Sequence, residues 1–275
     1  MSAIEHWGER LRAWAIPEEI LAAAAESPYG FPAELFQVRA ERAVADERSP
    51  STRRALEALP EGGVVLDVGV GGGAASFPLA ARASMITGVD PSREALDSFR
   101  EAARRRGVRT QELLGNWPEV APLAPPADVV VCHHVLYNVQ DLRPFATALT
   151  ERGRSRVVVE ITDRHPLSWM NPLWERFHGV ARPDGPTVGD AIAALRELRL
   201  DVGREDRTVS AGRSGFERKQ DAIALVRRRL CLPSDRDAEI EAALADSLAE
   251  DDGVWQAGPP EHVLVTLWWP GTARD

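Results

Sequence analysis

The sequence predicts an α/β protein built on a mostly parallel sheet with helices on both faces. Three observations carry this. Between residues 60 and 162 short apolar runs alternate with amphipathic stretches, the rhythm of strands joined by crossover helices. The middle runs ADVVVC and RVVVEIT are almost continuously apolar, as central strands buried on both faces must be. The first run, VVLDV, ends in four glycines within five positions, Gly69 to Gly73, which suits a sharp turn at the carboxyl end of a strand.

In chain order, the first 59 residues read as helical. HWGERLRAWAIPEEILAAAAES is punctuated by Pro17 and stops at SPYGFP, and AELFQVRAERAVADE follows with apolar residues at helical spacing. The sheet then begins: VVLDV, MITGVD, VRTQELL, ADVVVC and RVVVEIT as strands, with AASFPLAAR, SREALDSFREAARRR and DLRPFATALTER as the helices between them. Past Ile161, TDRHPLSWMNPLWERFHGVARPDGPT is irregular and rich in Trp, His, Pro and Arg. VGDAIAALRELRL is a helix leading into the strand DVGREDRTVS; FERKQDAIALVRRRL and SDRDAEIEAALADSLAED are further amphipathic helices, and HVLVTLWW is a closing strand. Inserted beside its predecessor, that last strand runs antiparallel, which completes a seven-stranded mixed sheet. The expected limits are 1–59 for an N-terminal helical cap and 60–275 for the sheet domain, with 163–186 as a pocket-wall loop and 214–252 as a helical insertion.

Composition narrows the function. The chain of 275 residues is 44% hydrophobic, enough to bury a substantial core, and carries a net charge of −9. That acidic balance disfavours a nucleic-acid surface, which needs a basic face. Cys132 and Cys231 lie far apart and form no CxxC pair, so neither a disulfide framework nor a zinc ribbon is expected, and a reduced cytoplasm fits. No segment approaches 18 uninterrupted apolar residues, and MSAIEHWGER lacks the basic-then-apolar order of a signal peptide. A soluble cytoplasmic protein without a membrane span is expected, with homo-oligomerisation open.

The glycine turn alone does not choose a ligand. Gly69, Gly71 and Gly73 satisfy G-x-G-x-G, and with Ala74 the same stretch satisfies the dinucleotide variant G-x-G-x-x-A. Asp67 tilts the choice, because a carboxylate before the turn favours an ammonium or sulfonium group and would repel a pyrophosphate. Asp90, nineteen residues after Gly71, closes the second strand where a carboxylate can hold both ribose hydroxyls; its alternative is to cap the helix that begins at PSREAL.

These residues carry a family resemblance. VVLDVGVGGGAASFPLA resembles the first motif of the Rossmann-like (class I) S-adenosylmethionine-dependent methyltransferases, and ITGVDPSREAL is similar to their second-strand acidic motif. ADVVVCHHVLYNVQDLRPFATAL and RVVVEIT resemble the fourth and fifth strands of that family. The resemblance implies strand order 3-2-1-4-5-7-6 with the seventh antiparallel, and S-adenosylmethionine as cofactor. By it, Asp67, Gly69, Gly71 and Gly73 surround the methionine part and Asp90 binds the ribose. The family commonly places an acid after the third strand to meet adenine. Here LLGNWPEV supplies Asn116, whose amide oxygen can accept from the adenine amino group, and Trp117, which either stacks on adenine or plugs the sheet edge.

Methyl transfer needs an in-line nucleophile, a dry pocket and, for a hydroxyl, removal of a proton. CHHVLYN leaves the fourth strand where the methyl group would lie, so His133 and His134 are the candidate catalytic residues, with His133 also beside the cofactor. Tyr137 and Asn138 are candidate pocket lining. The wall after the fifth strand offers His165, Trp169, Asn171, Trp174 and His178, with Arg164 and Phe177; the alternative is that the tryptophans pack the N-terminal helices onto the sheet. His165 and His178 lack the short spacing of a metal pair, and no metal site is expected. Arg218, Lys219, Arg227, Arg228 and Arg229 form either a solvated face or an anion clamp on a lid. The expected function is methyl transfer to a small molecule. The alternatives are an RNA or protein methyltransferase, a non-catalytic cofactor-binding protein, and an NAD(P)-dependent oxidoreductase.

Overall fold

The computed structural model describes residues 1–29, 40–41, 43–46, 48–210, 215–251 and 253–274. The helix expected over 33–47 lies largely outside them.

Seven strands form one sheet: β1 (Gly63–Val68), β2 (Ala83–Asp90), β3 (Thr110–Leu114), β4 (Ala127–His133), β5 (Gly153–Thr162), β6 (Gly203–Ser210) and β9 (Glu261–Pro270). Their order is β3-β2-β1-β4-β5-β9-β6, which is the expected order with β9 as the seventh sheet strand. The first five are parallel, and β9 runs antiparallel between β5 and β6, pairing Glu160 with Thr266 and Asp206 with Val265. The parallel strands therefore bring their carboxyl ends to one edge, where open α/β sheets bind ligands.

Helices cover both faces. On one, α1 (Ala3–Arg12), α5 (Leu142–Arg152) and α7 (Val188–Glu197) enclose a core that includes Trp7, Leu136, Leu149 and Trp269. The α1 helix begins at a capping box between Ser2 and Glu5 and buries Ile4, Trp7 and Leu11; the Trp7 indole N–H donates to the Val139 carbonyl at 2.7 Å. So this part of the N-terminal segment is built into the domain core. On the other face lie α3 (Pro50–Leu56) and α4 (Arg93–Arg106), packed through Leu59, Phe77, Phe99 and Ile86.

A third cluster sits apart from these two. It joins α6 (Asn171–His178), α8 (Lys219–Arg229) and α9 (Asp237–Leu244) through Trp174, Val226, Leu230 and Ile240, with Ile16 and Ile20 of the segment around α2 (Glu18–Ala23) against it.

Two local expectations are corrected. AASFPLAAR does not form a crossover helix: after Gly73 the chain runs in turns with one short 3-10 turn, Phe77–Leu79. Pro78 supplies no N–H, and the preceding glycines weaken helix propagation. The insertion over 214–252 is not wholly helical either. After α9 the chain turns into a hairpin, β7 (Leu248–Asp251) and β8 (Val254–Ala257), reversed at Gly253, whose φ is +77°. Phe216 pairs with Trp255, which ties the hairpin to the chain entering α8.

Candidate active site

Two features meet at the carboxyl edge of the sheet. The first is the turn leaving β1. Gly69, Gly71 and Gly73 have φ of +76°, +50° and +86°, a region that side chains adopt only under strain. A Cβ on Gly69 would collide with Val135, and one on Gly73 with Phe77, so those two are demanded by packing as well as by conformation. The Gly71 N–H donates to Asp90 Oδ2 at 3.0 Å, while Asp90 Oδ1 accepts from the Ser92 N–H at 2.9 Å. Asp90 thus braces the turn and the start of α4 together, and each oxygen keeps a lone pair for a further donor.

Asp67 lies beneath this turn with no exposed surface. Its Oδ2 accepts from Ser76 Oγ at 2.6 Å, and its Oδ1 has no partner. Burial drives its pKa from 3.8 up to about 7; the Ser76 hydroxyl opposes this and the neighbouring Asp90 carboxylate adds to it. Among the described residues no cation pairs with either acid. The loop thus holds a buried carboxyl with one oxygen unpartnered, which a cationic donor can satisfy.

The second feature spans the ends of β4 and β5. His133 Nδ1 lies 4.0 Å and His134 Nε2 3.4 Å from Glu160 Oε1, and Ser51 at the start of α3 donates to Glu160 Oε2 at 2.7 Å. Burial would raise the Glu160 carboxyl, but the two rings and the Ser51 hydroxyl outweigh it and hold it well below the ordinary range. Burial pushes His133 down to about 4, so its ring is neutral near pH 7, and its Nε2 has no partner. His134 adopts φ +59°, its N–H donates to the Glu160 carbonyl at 2.7 Å, and its side chain is half exposed. With Nε2 turned to the carboxylate, Nδ1 is the ring atom left to accept a proton.

A cleft of about 1490 Å³ opens beside these groups. Ala74 of the turn, both histidines, Glu160, Tyr137, Asn138, Arg164, His165, Trp169 and Trp174 line it. His165 stacks on Trp14 with 3.7 Å between ring centroids, and Tyr137 donates its hydroxyl to the Thr162 carbonyl at 2.8 Å. Burial lowers the His165 pKa to about 4.

Other expected pocket residues are placed elsewhere. Asn171 does not line the cleft: its Nδ2 donates to the Pro183 carbonyl at 3.1 Å. His178 meets the Leu230 carbonyl at 2.7 Å and packs on Trp174, fastening α6 to the end of α8. Phe177 likewise packs within the third cluster, under Arg236. The residues expected at the adenine end follow β3 directly: Asn116 is exposed, and Trp117 is partly buried against the core with its indole N–H 3.3 Å from the Phe145 carbonyl. In the basic run, Arg218 grips Asp221, Lys219 meets Glu241 and Arg227 grips Asp237, so these three cations are spent on pairs within the insertion.

Four site residues were absent from the expectations: Ser51, Glu160, Trp14 and Arg182. Glu160 had a usable signal, a lone acid inside the apolar run RVVVEIT that parallels Asp67 inside VVLDV.

Comparison with known proteins agrees with this layout. A family model described as a methyltransferase domain matches residues 65–154. Ubiquinone biosynthesis O-methyltransferase of Aeromonas salmonicida (strain A449) is 34% identical over 111 residues, which is 38% of this chain and 46% of that one. Its namesake in Rhizobium leguminosarum bv. trifolii (strain WSM2304) is 32% identical over 107 residues, 39% and 41% of the two chains. The match thus spans under half the length of these curated relatives. Among solved structures, a cyclopropane-fatty-acyl-phospholipid synthase-like protein from Lactobacillus casei ATCC 334 superposes with a TM-score of 0.53 at 16% identity, covering 95% of this chain and 99% of that one. A protein of Bacillus halodurans C-125 proposed to be a methyltransferase gives 0.53 at 12% identity, covering 82% and 100%. The methyltransferase-domain match over residues 65–154 runs from β1 to the start of β5, and the seven-stranded sheet has the fold of these solved structures.

Proposed function

We propose that the protein transfers a methyl group from S-adenosylmethionine to a small-molecule acceptor held in the cleft. The observation that carries this is the buried Asp67, whose Oδ1 lacks a partner beneath a turn of three glycines at positive φ. An ammonium group satisfies that oxygen and offsets the repulsion from Asp90, so the residues present fit the amino-acid end of the cofactor. Asp90 is suited to the ribose hydroxyls, and Asn116 and Trp117 are the groups nearest in sequence for the adenine end.

When bound, S-adenosylmethionine supplies an electrophilic methyl group on a positively charged sulfur. The chain's own residues then do the rest. His134 accepts the acceptor's proton on Nδ1, and Glu160, fixed by Ser51, pairs with the imidazolium that results. His133, neutral and largely closed from water, has an unpartnered Nε2 to hydrogen-bond the acceptor. Tyr137, His165, Trp169 and Trp174 line the cleft and exclude water. The segment around α2, the loop over 163–186 and the insertion with its hairpin act as the cover over the sheet domain, into whose core α1 is built. The acidic balance and the aromatic lining of the cleft favour a small acceptor over RNA or protein. Both cysteines are unpaired and buried, in keeping with a reducing cytoplasm, and among the described residues no helix is long and apolar enough to cross a membrane.

The test is calorimetry with S-adenosylhomocysteine on the wild type and on Gly71→Val, followed by labelled-methyl transfer into fractionated extract. Binding by the wild type, loss of binding in the variant and a methylated small molecule are expected. Unchanged affinity in Gly71→Val would falsify the assignment of the turn. Tight binding with no methylated product from any fraction points instead to a non-catalytic binding protein.

A further inference from the structure

The wall of the cleft holds a guanidinium that is only half satisfied. Arg182 lies in the stretch between α6 and α7 and lines the cleft. Its Nη1 donates to the Trp14 carbonyl at 2.6 Å, and its Cζ sits 3.9 Å from the Trp174 ring centroid and 5.6 Å from that of Trp14. Asn171 holds the backbone beneath it, through the Arg182 and Pro183 carbonyls. Its Nε and Nη2 are both closed from water and have no acceptor.

Those two nitrogens form the side-on fork of the guanidinium. Elsewhere in this chain the same fork grips carboxylates: Arg204 holds Asp206 with Nε and Nη2 at 2.6 Å each, and Arg218 holds Asp221 at 2.8 Å each. On Arg182 the fork is open, and among the described residues no carboxylate pairs with it. Burial lowers its pKa. Leaving two buried donors of a half-buried cation without partners is costly, and such costs persist where a ligand removes them.

We propose that Arg182 is the anchor for a carboxylate on the methyl acceptor, so that the substrate is a planar, aromatic carboxylic acid. The fork takes both carboxylate oxygens, and the surrounding Trp14, Trp169, Trp174 and His165 rings take the apolar body. Because both fork nitrogens are shielded, the acceptor reaches them by displacing the side chains that cover them. This identification rests on the methyltransferase reading, but the binding site does not.

The experiment titrates the full chain calorimetrically with benzoate and with benzamide, its neutral isostere. The wild type is expected to bind benzoate at least ~10-fold more tightly than benzamide. Arg182→Met erases that preference while leaving the affinity for S-adenosylhomocysteine unchanged. Arg182→Lys, which keeps the charge and the packing stem but not the fork, loses most of it, and serves should the methionine variant fail to fold. Equal affinities for the two ligands in the wild type, no binding of benzoate, or a benzoate preference that survives in both variants overturns the proposal. Failure of the wild type to bind S-adenosylhomocysteine sinks the methyltransferase reading instead and leaves the benzoate comparison readable.

Discussion

Replacing Asp67 with asparagine separates the charge of this residue from its shape. Asparagine keeps an oxygen for Ser76 and places a neutral group where the unpartnered Oδ1 lies. In the ligand-free wild type, burial moves the Asp67 pKa from 3.8 to about 7. At about 1.4 kcal/mol per pH unit this displacement corresponds to about 4 kcal/mol of destabilisation once the carboxylate is fully ionised, an upper bound because the interior relaxes. The folded state holds this proton more tightly than the unfolded chain, so its contribution is lost as pH rises from about 4 through 7. Asp67→Asn removes that loss. It is expected to match the wild type at pH 3, below the pKa of Asp67 in both the folded and the unfolded chain, and to melt several degrees higher at pH 8. Cofactor binding changes in the opposite sense. Only the ionised carboxylate pairs with an ammonium group, so wild-type affinity for S-adenosylhomocysteine is expected to strengthen ~10-fold between pH 6 and 8, whereas the variant binds ~10- to 100-fold more weakly at pH 8 and shows a flat profile. Differential scanning fluorimetry at the two pH values and calorimetry read the two arms. A variant that is destabilised equally at both pH values, or that binds as tightly as the wild type, refutes the argument.

The remaining expectations follow from single contacts. Glu160→Gln should lower kcat by ~10- to 100-fold with little change in KM and should alter the pH–rate profile; an unaltered profile would leave Glu160 with a merely structural role. Gly69→Ala places a methyl group against Val135 at φ +76° and should cost about 2 kcal/mol or more in urea unfolding, with part of the loss restored by adding Val135→Ala. Trp7→Ala empties a fully buried site and loses the bond to Val139, for about 3–5 kcal/mol by denaturant titration. His165 is held near 4 against an ordinary 6.5, so the stability it allows above pH 6.5 is lost as pH falls through 4; His165→Gln should flatten the melting temperature across that window.

The parts of this protein that were legible in the sequence are those written locally. Short and continuous apolar runs placed the first five strands and the closing strand because each carries its own burial pattern. Gly73 was legible because it answers to Phe77 in the same stretch, whereas Gly69 answers to Val135 in the loop after β4 and was legible only through the turn's own pattern. The helix expected after Gly73 failed on an equally local fact, Pro78, that amphipathic spacing outvoted.

The cleft was legible only in outline, since its walls are assembled across long separations. Ser51 meets Glu160 across 109 positions, and Trp14 meets Arg182 across 168. Nothing near Arg182 in the chain says that a tryptophan carbonyl will take one of its nitrogens and leave the other two open. Asn171 and His178 were drawn toward the pocket by residue type, yet backbone carbonyls on adjoining segments claim them.

Glu160 is the instructive case. A carboxylate in a central strand loses its hydration, and the fold persists only if something restores what water gave. For Asp67 nothing among the described residues does so completely, which marks a place for a guest. For Glu160, Ser51 and two histidines do, which marks a group already tuned by the protein itself. One physical question, asked of each lone acid in an apolar run, thus sorts the two carboxylates: Asp67 keeps an unpartnered oxygen suited to a cation from outside, and Glu160 is already held by Ser51 and the two rings beside it.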